Sequence, residues 1–281
     1  MNILITNDDG YKAQGIQALV RALRPFGDIT VVAPKYHQSA TSTAVTMGLR
    51  PIAVRKISET EGERWWYVDA TPASCVKFAI DEIFIDSKID LLVSGINHGA
   101  NAASAALYSA TVGAAEEGAL AGIPSIAVSL DDMHSTADFE AVESMLPGII
   151  RKLLKHWPDK FGLLYNINFP KGKVRDIRGM RVCHQGVNHW EKEFKLYDPH
   201  AFEKLGLRPE DMGIKTGLSS CEEGETVYVM VGDIVDNDCN VEPADHHYLK
   251  CGYITIVAAR IDSTDYAENG RLRDLGYDVN Y

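Results

Sequence analysis

Short runs of apolar and β-branched residues alternate with helical stripes along residues 1–130, and this alternation restricts the fold more than any other feature. Asn2–Thr6 (NILIT) reads as a buried strand. Ile16, Leu19, Val20 and Leu23 follow at i, i+3, i+4 and i+7, which predicts an amphipathic helix over 15–26. A second buried strand spans 29–33 and stops at Pro34; a further one covers 65–69. Thr71 and Pro72 form a helix start, the first as cap and the second with its φ already set, and Val76, Ala79, Ile80 and Ile83 continue one face. Strands at 91–94 and 125–129 bracket a helix of small residues over 111–120 that closes at Gly122. A long stripe from Phe139 to Leu153 completes the series. Strands joined through helices imply right-handed crossovers, hence an α/β, Rossmann-like, mostly parallel sheet flanked by helices. In such sheets ligands sit beyond the carboxyl ends of the strands.

The pattern weakens after Leu163–Phe169. Residues 171–250 mix strand-like runs, such as 226–231, with polar loops, and 252–259 gives one more strand. The expected organisation is a single domain over 1–281. Its core spans 1–170, and an irregular β-containing extension over 171–281 packs on that core or serves as an oligomerisation arm.

Four polar clusters fall at expected strand ends. Asn7, Asp8, Asp9 and Gly10 follow the first strand directly. Adjacent carboxylates repel, and a hard divalent cation bound by oxygens answers that repulsion. A solvated turn is the plainer alternative for the same residues. Gln38, Ser39, Ala40, Thr41 and Ser42 offer hydroxyls to a metal or a phosphate, or form an ordinary loop. Ser94 to Asn101 (SGINHGAN) supplies Asn97, whose amide oxygen is a reasonable neutral ligand for Mg²⁺, Mn²⁺ or Ca²⁺. His98 beside it has no histidine partner at zinc-like spacing and reads as a substrate contact or a surface residue. Tyr108 to Ala115 places Ser109 and Thr111 before a helix whose first turn is built of tiny side chains. Free N–H groups and the helix dipole make such a start an anion site, and close helix–sheet packing uses the same residues. Together the clusters have the makeup of a metal-assisted phosphate-ester hydrolase, with Asp8 or Asp9 orienting or deprotonating the attacking water.

Charge and composition narrow the partners. With 28 basic and 39 acidic residues the net charge is −11, the wrong sign for a duplex-binding protein. The five cysteines are odd in number and none form CxxC, so reduced thiols and a cytoplasmic setting are expected. The opening MNILITNDDG has neither the basic nor the apolar region of a signal peptide. The longest uncharged run, from Leu91 to Ala115, is broken by Asn97, His98, Asn101, four hydroxyls and three glycines, so no membrane span is expected.

At these residues the chain resembles the SurE family of survival-protein nucleotidases. The resemblance rests on ITNDDG (Ile5 to Gly10), Ala33, Pro34, Ser39 and Ser42, ATPASCV (Ala70 to Val76), SGINHGAN and YSATVGAA. Weaker echoes lie in NINFP (Asn166 to Pro170) and GYITIV (Gly252 to Val257). It implies a 5'-nucleotidase acting on nucleoside monophosphates or similar phosphate esters with one divalent cation, Mg²⁺ or Mn²⁺. The implied metal ligands are Asp8, Asp9, Ser39 and Asn97, with Asp8 and Asp9 also catalytic. The implied phosphate contacts are Asn101, Ser109 and Thr111. A homodimer or homotetramer built by exchange of C-terminal elements is implied as well.

The chain departs from the family pattern at Tyr36, His37, Ala40, Ala70, Ser74 and Ala110, while the ligand set is intact. Ala110 would narrow the phosphate pocket if the family's glycine there adopts a positive φ.

Three other readings compete. A haloacid-dehalogenase-type phosphatase needs a second Asp two residues after its nucleophile, but positions 10 and 11 are Gly and Tyr. A phospho-receiver module would use Asp69 as its acceptor, yet no lysine stands beside Pro124. A nucleotide-binding protein without turnover would keep the ligand set alone.

Overall fold

The computed structural model describes residues 1–48, 50–198, 224–238 and 242–278. Its strands are β1 (Asn2–Thr6), β2 (Asp28–Pro34), β3 (Val54–Thr60), β4 (Glu63–Val68), β5 (Leu91–His98), β6 (Ser125–Leu130), β7 (Leu163–Phe169), β8 (Met180–Val182), β9 (Asn188–Glu191), β10 (Phe194–Leu196), β11 (Tyr228–Met230), β12 (Asp233–Asp236) and β13 (Ile254–Arg260). The helices used below are α1 (Gln14–Leu23), α2 (Pro72–Phe78), α3 (Ala105–Tyr108), α4 (Ala110–Leu120), α5 (Glu140–Lys155), α6 (Asp245–Lys250) and α7 (Tyr266–Asp274).

Among the described residues the main sheet has nine strands in the order β3-β4-β2-β1-β5-β6-β7-β13-β8. The strands from β4 to β7 pair in parallel; β3 joins β4, and β13 joins β7, antiparallel. Layering explains why the central strands are apolar without alternation. Ile3 and Ile5 of β1 face one apolar cluster with Ile16, Leu19 and Leu23 of α1 and Val142, Leu146 and Ile150 of α5. Leu4 between them faces a second cluster with Cys75 and Val76 of α2 and Val112, Ala115 and Ala119 of α4. Each fully buried aliphatic side chain contributes roughly 1.5–3 kcal/mol, so both faces of β1 must be apolar.

Most expected elements stand, with shifted ends. The first helix ends at Leu23 and finishes as a 3₁₀ turn, Arg24–Phe26, because Pro25 cannot donate to the preceding turn. Thr71 caps α2, accepting the Ser74 N–H on its hydroxyl. After Phe78 that helix widens into a π turn over Ala79–Ile83. The strand expected at 91–94 continues to His98, pairing with β6 through a register irregularity between Ser94 and Asn97. Asn97 and His98 therefore stand on the strand itself, not on a loop after it.

Beyond residue 170, β8 and β13 join the main sheet. Two antiparallel pairs, β9 with β12 and β10 with β11, form a ribbon separate from that sheet. Phe194, Leu196, Tyr228 and Met230 on that ribbon are exposed.

Candidate phosphate and metal site

The carboxyl ends of β1 and β5 carry the first and third clusters side by side, because Thr6 pairs with Ser94. Gly10, at φ +97°, turns the chain away after Asp9. Asn7 Nδ2 closes this turn by donating to the Gly10 carbonyl at 3.0 Å.

Asp8 is only 3% exposed. Its Oδ1 accepts the Thr111 hydroxyl at 2.6 Å. Burial, with the charge of Asp9 alongside, pushes the Asp8 carboxyl up to about 7; the Thr111 bond opposes that rise. Asp9 Oδ2 accepts the His98 N–H at 3.4 Å, and His37 Nδ1 lies 3.3 Å from Asp9 Oδ1. The hydrogen bond to Asp9 holds the His37 imidazole above its usual pKa. Among the described residues no lysine or arginine forms an ion pair with either acid.

Backbone contacts hold the segments that carry the other expected ligands. The Gln38 N–H donates to the Asp8 carbonyl at 2.7 Å, which ties the residue before the exposed Ser39 to the acid-bearing turn. Ser42 fastens the same loop to the other side of the site: its N–H donates to the Tyr108 carbonyl at 3.1 Å and its hydroxyl to the Leu107 carbonyl at 2.8 Å. Gly113 of α4 makes this approach possible, since a Cβ there would lie 2.4 Å from the Ser42 carbonyl oxygen. Small residues at the start of α4 thus serve close packing, as one of the two expectations had it. Asn97 is nearly buried, and its Nδ2 donates to the Gly99 carbonyl at 2.7 Å, so its Oδ1 remains the available acceptor.

Ser109 caps α4, accepting the Val112 N–H at 3.1 Å. The helix expected over 111–120 begins one residue earlier, at Ala110, so Thr111 lies within the first turn, where its hydroxyl reaches Asp8. Ala110 also lies within that turn and is absent from the positive-φ residues, so the condition for a narrowed pocket is not met. Ala40 does occupy the left-handed region, at φ +57°.

Asn101 is buried and held on every side. Its N–H donates to Asn168 Oδ1 at 2.8 Å, its Nδ2 to Ser129 Oγ at 2.8 Å, and its carbonyl accepts Asn166 Nδ2 at 2.7 Å. The supporting residues Ser129, Asn166 and Asn168 were not anticipated as site residues. Their signal was two asparagines at i and i+2 in an otherwise apolar strand, which places both on one face. His98 has a settled place too: its ring meets Phe139 edge-on at 5.0 Å. Asp69, the acceptor a receiver module would need, follows β4, two strands from β1, and pairs with Arg50 at 3.6 Å.

The donor set fits a hard divalent cation. Two carboxylates, an amide oxygen and a hydroxyl are all oxygen ligands. The buried Asn7 Oδ1 and the hydroxyls of Thr6 and Ser94 have no hydrogen-bond partner, which leaves acceptor capacity around the acids. Among the described residues no helix is long and apolar enough to cross a membrane.

Comparison with known proteins identifies the family. The profile of the family described as Survival protein SurE matches residues 3–192. A relative named 5'-nucleotidase SurE from Christiangramia forsetii is 36% identical over 264 residues, covering 93% of this chain and 92% of its own. One of the same name from Mannheimia succiniciproducens is 35% identical over 277 residues and 98% of both chains. A crystal structure of the SurE protein from Aquifex aeolicus superposes with a TM-score of 0.75 at 28% identity, covering 98% of this chain and all of that one.

Proposed function

Since this chain belongs to the survival protein SurE family, we propose that it is a divalent-cation-dependent 5'-nucleotidase that hydrolyses nucleoside monophosphates. The observation that carries the reading is the Asp8–Asp9 pair, one carboxylate buried and neither matched by a lysine or arginine among the described residues. Such a pair is costly unless a cation joins it.

Asp8, Asp9, Ser39 and Asn97 would hold Mg²⁺ or Mn²⁺. When bound, the cation supplies Lewis-acid polarisation of the phosphoryl group and neutralises its charge. Thr111 keeps Asp8 oriented through its hydroxyl, and the His98 N–H does the same for Asp9. Asp9, the less buried acid, takes a proton from the attacking water. The N–H groups of Ala110 and Thr111 at the start of α4, the Ser109 hydroxyl and the Asn101 amide receive the phosphate. Asn101 can do so with little reorganisation, because Ser129, Asn166 and Asn168 already fix its backbone and amide. A cytoplasmic setting suits the free thiols of Cys75, Cys183 and Cys251, and the ribbon after β8 supplies an exposed apolar surface for a homodimer or homotetramer.

The test is phosphate release from a panel of nucleoside monophosphates by chelator-stripped protein, with Mg²⁺ or Mn²⁺ restored singly. Activity should depend on the added cation, and Asp8→Asn or Asp9→Asn should remove most of it while circular dichroism stays unchanged. Full turnover by either variant at saturating cation would overturn the reading.

A further inference from the structure

The segment after β7 carries chemistry that the phosphate site does not use. Asp236 ends β12, and His246 and His247 lie in the first turn of α6. His246 Nε2 is 3.1 Å and His247 Nε2 2.6 Å from the same atom, Asp236 Oδ2. The two rings stand 4.0 Å apart, and one ligand atom from each of the three side chains falls within 4.8 Å of the others. Atoms about 3 Å apart have the spacing of neighbouring ligands on a cation bound at about 2.1 Å.

His246 is buried between two carboxylates. Its Nδ1 is 3.6 Å from Asp245 Oδ1 and has no hydrogen-bond partner. Asp245 is itself fully buried and fixed: Oδ1 accepts the N–H groups of Ala103, Gly186 and His246, and Oδ2 also lies 3.1 Å from the Ala103 nitrogen. A neutral imidazole has one proton, so one of its nitrogens must turn a lone pair toward a carboxylate oxygen. With the proton on Nδ1, facing Asp245, the Nε2 lone pair faces Asp236. A cation between those two atoms converts repulsion into coordination. An outer carboxylate that fixes the tautomer of a ligating histidine is a recurrent element of metal sites. Gly186 leaves room for the ring, since a Cβ there would lie 2.2 Å from His246 Nδ1.

His247 is the more weakly held member. Its Nδ1 accepts the Ala244 N–H at 3.2 Å, which puts its proton on Nε2. Coordination through Nε2 moves that proton to Nδ1 and opens the Ala244 contact.

We propose that Asp236, His246 and His247 form a second cation site, selective for a borderline metal such as Zn²⁺ or Co²⁺, with Asp245 orienting His246. Two imidazoles and one carboxylate favour such ions over Mg²⁺, the reverse of the all-oxygen set at Asp8 and Asp9. The site has a structural consequence, because Asp245 also grips Ala103, two residues from Asn101, and Ser104 bonds to Asn188 of β9. A cation there ties the ribbon to the loop that carries Asn101.

The experiment uses full-length, chelator-stripped protein carrying Asp8→Asn and Asp9→Asn, so that the first site is silent. Co²⁺ is added and followed by visible absorption and equilibrium dialysis, with circular dichroism as the folding control. One equivalent of Co²⁺ should bind with ligand-field bands, resist excess Mg²⁺, and yield to Zn²⁺. Asp236→Asn and His247→Gln, both at partly exposed side chains, should each weaken binding by about 10-fold or more. The proposal fails if the doubly substituted protein binds no Co²⁺, or if binding is unchanged by Asp236→Asn and His247→Gln together. Neither result bears on phosphatase activity, so the two readings stand or fall separately.

Discussion

Replacing Asp8 with asparagine should stabilise the metal-free protein, and the gain should grow with pH. The folded Asp8 carboxyl titrates at about 7, raised from 3.8 by burial and by Asp9. A raised folded pKa means that the native state holds a proton that the unfolded chain has released. Stability is therefore fully present below pH 3.8, declines as pH rises, and reaches its full loss above pH 7. At 1.36 kcal/mol per unit, the shift amounts to about 4 kcal/mol. Asp8 is 3% exposed, so solvent screening removes little of this. Asparagine keeps an oxygen for the Thr111 hydroxyl and carries no charge, so Asp8→Asn should match the wild type near pH 4 and exceed it by up to about 4 kcal/mol at pH 8. Urea denaturation in the presence of chelator, across pH 4–8, measures the difference directly. Saturating Mg²⁺ or Mn²⁺ should reverse the order, since only the wild-type native state gains from binding. A difference that stays flat across this pH range would refute the electrostatic account of the pair.

Three further outcomes follow from the same geometry. Thr111→Val removes the hydroxyl from Asp8; a hydrogen bond to a charged group is worth about 1.5–3 kcal/mol, so cation affinity should fall roughly 10- to 100-fold, read by calorimetric titration. Asn168→Ala frees the Asn101 backbone, and inorganic phosphate should inhibit this variant at least about 10-fold more weakly while its cation affinity is unchanged. Ala40→Gly relieves a left-handed alanine, at most about 1–2 kcal/mol partly offset by the greater unfolded-state freedom of glycine, and should raise the melting temperature by a degree or two.

The sequence was most readable where a single physical rule decided the outcome. Ile3, Leu4 and Ile5 had to be buried on both faces, so β1 and the position of Asp8 beyond it followed directly. Thr71 and Pro72 marked a helix start with little competition. Reading was harder where tertiary contacts overrode local pattern. The apolar run at 91–94 predicted a four-residue strand, yet β6 pairing carries β5 on to His98. The hydroxyl of Thr111 reaches Asp8, over a hundred residues away in sequence, and no local spacing foretells that bond. Asn166 and Asn168 stood out as a polar pair on one face of an apolar strand, but their purpose lies in Asn101, far away in sequence. The histidines at 246 and 247 carried no signal at all until β12 brought Asp236 to them.

The place of β13 in the sheet has a consequence for synthesis. Its antiparallel partner β7 is made long before it, and the ribbon and α6 lie between the two in the chain. While the ribosome works through that interval, the bare rim of β7 is open to any passing extended segment, including one from a neighbouring nascent chain. Closure waits for β13 itself to emerge, so nonsense mutations upstream of Ile254 should send the truncated product to proteases or aggregates rather than leave a trimmed but working protein.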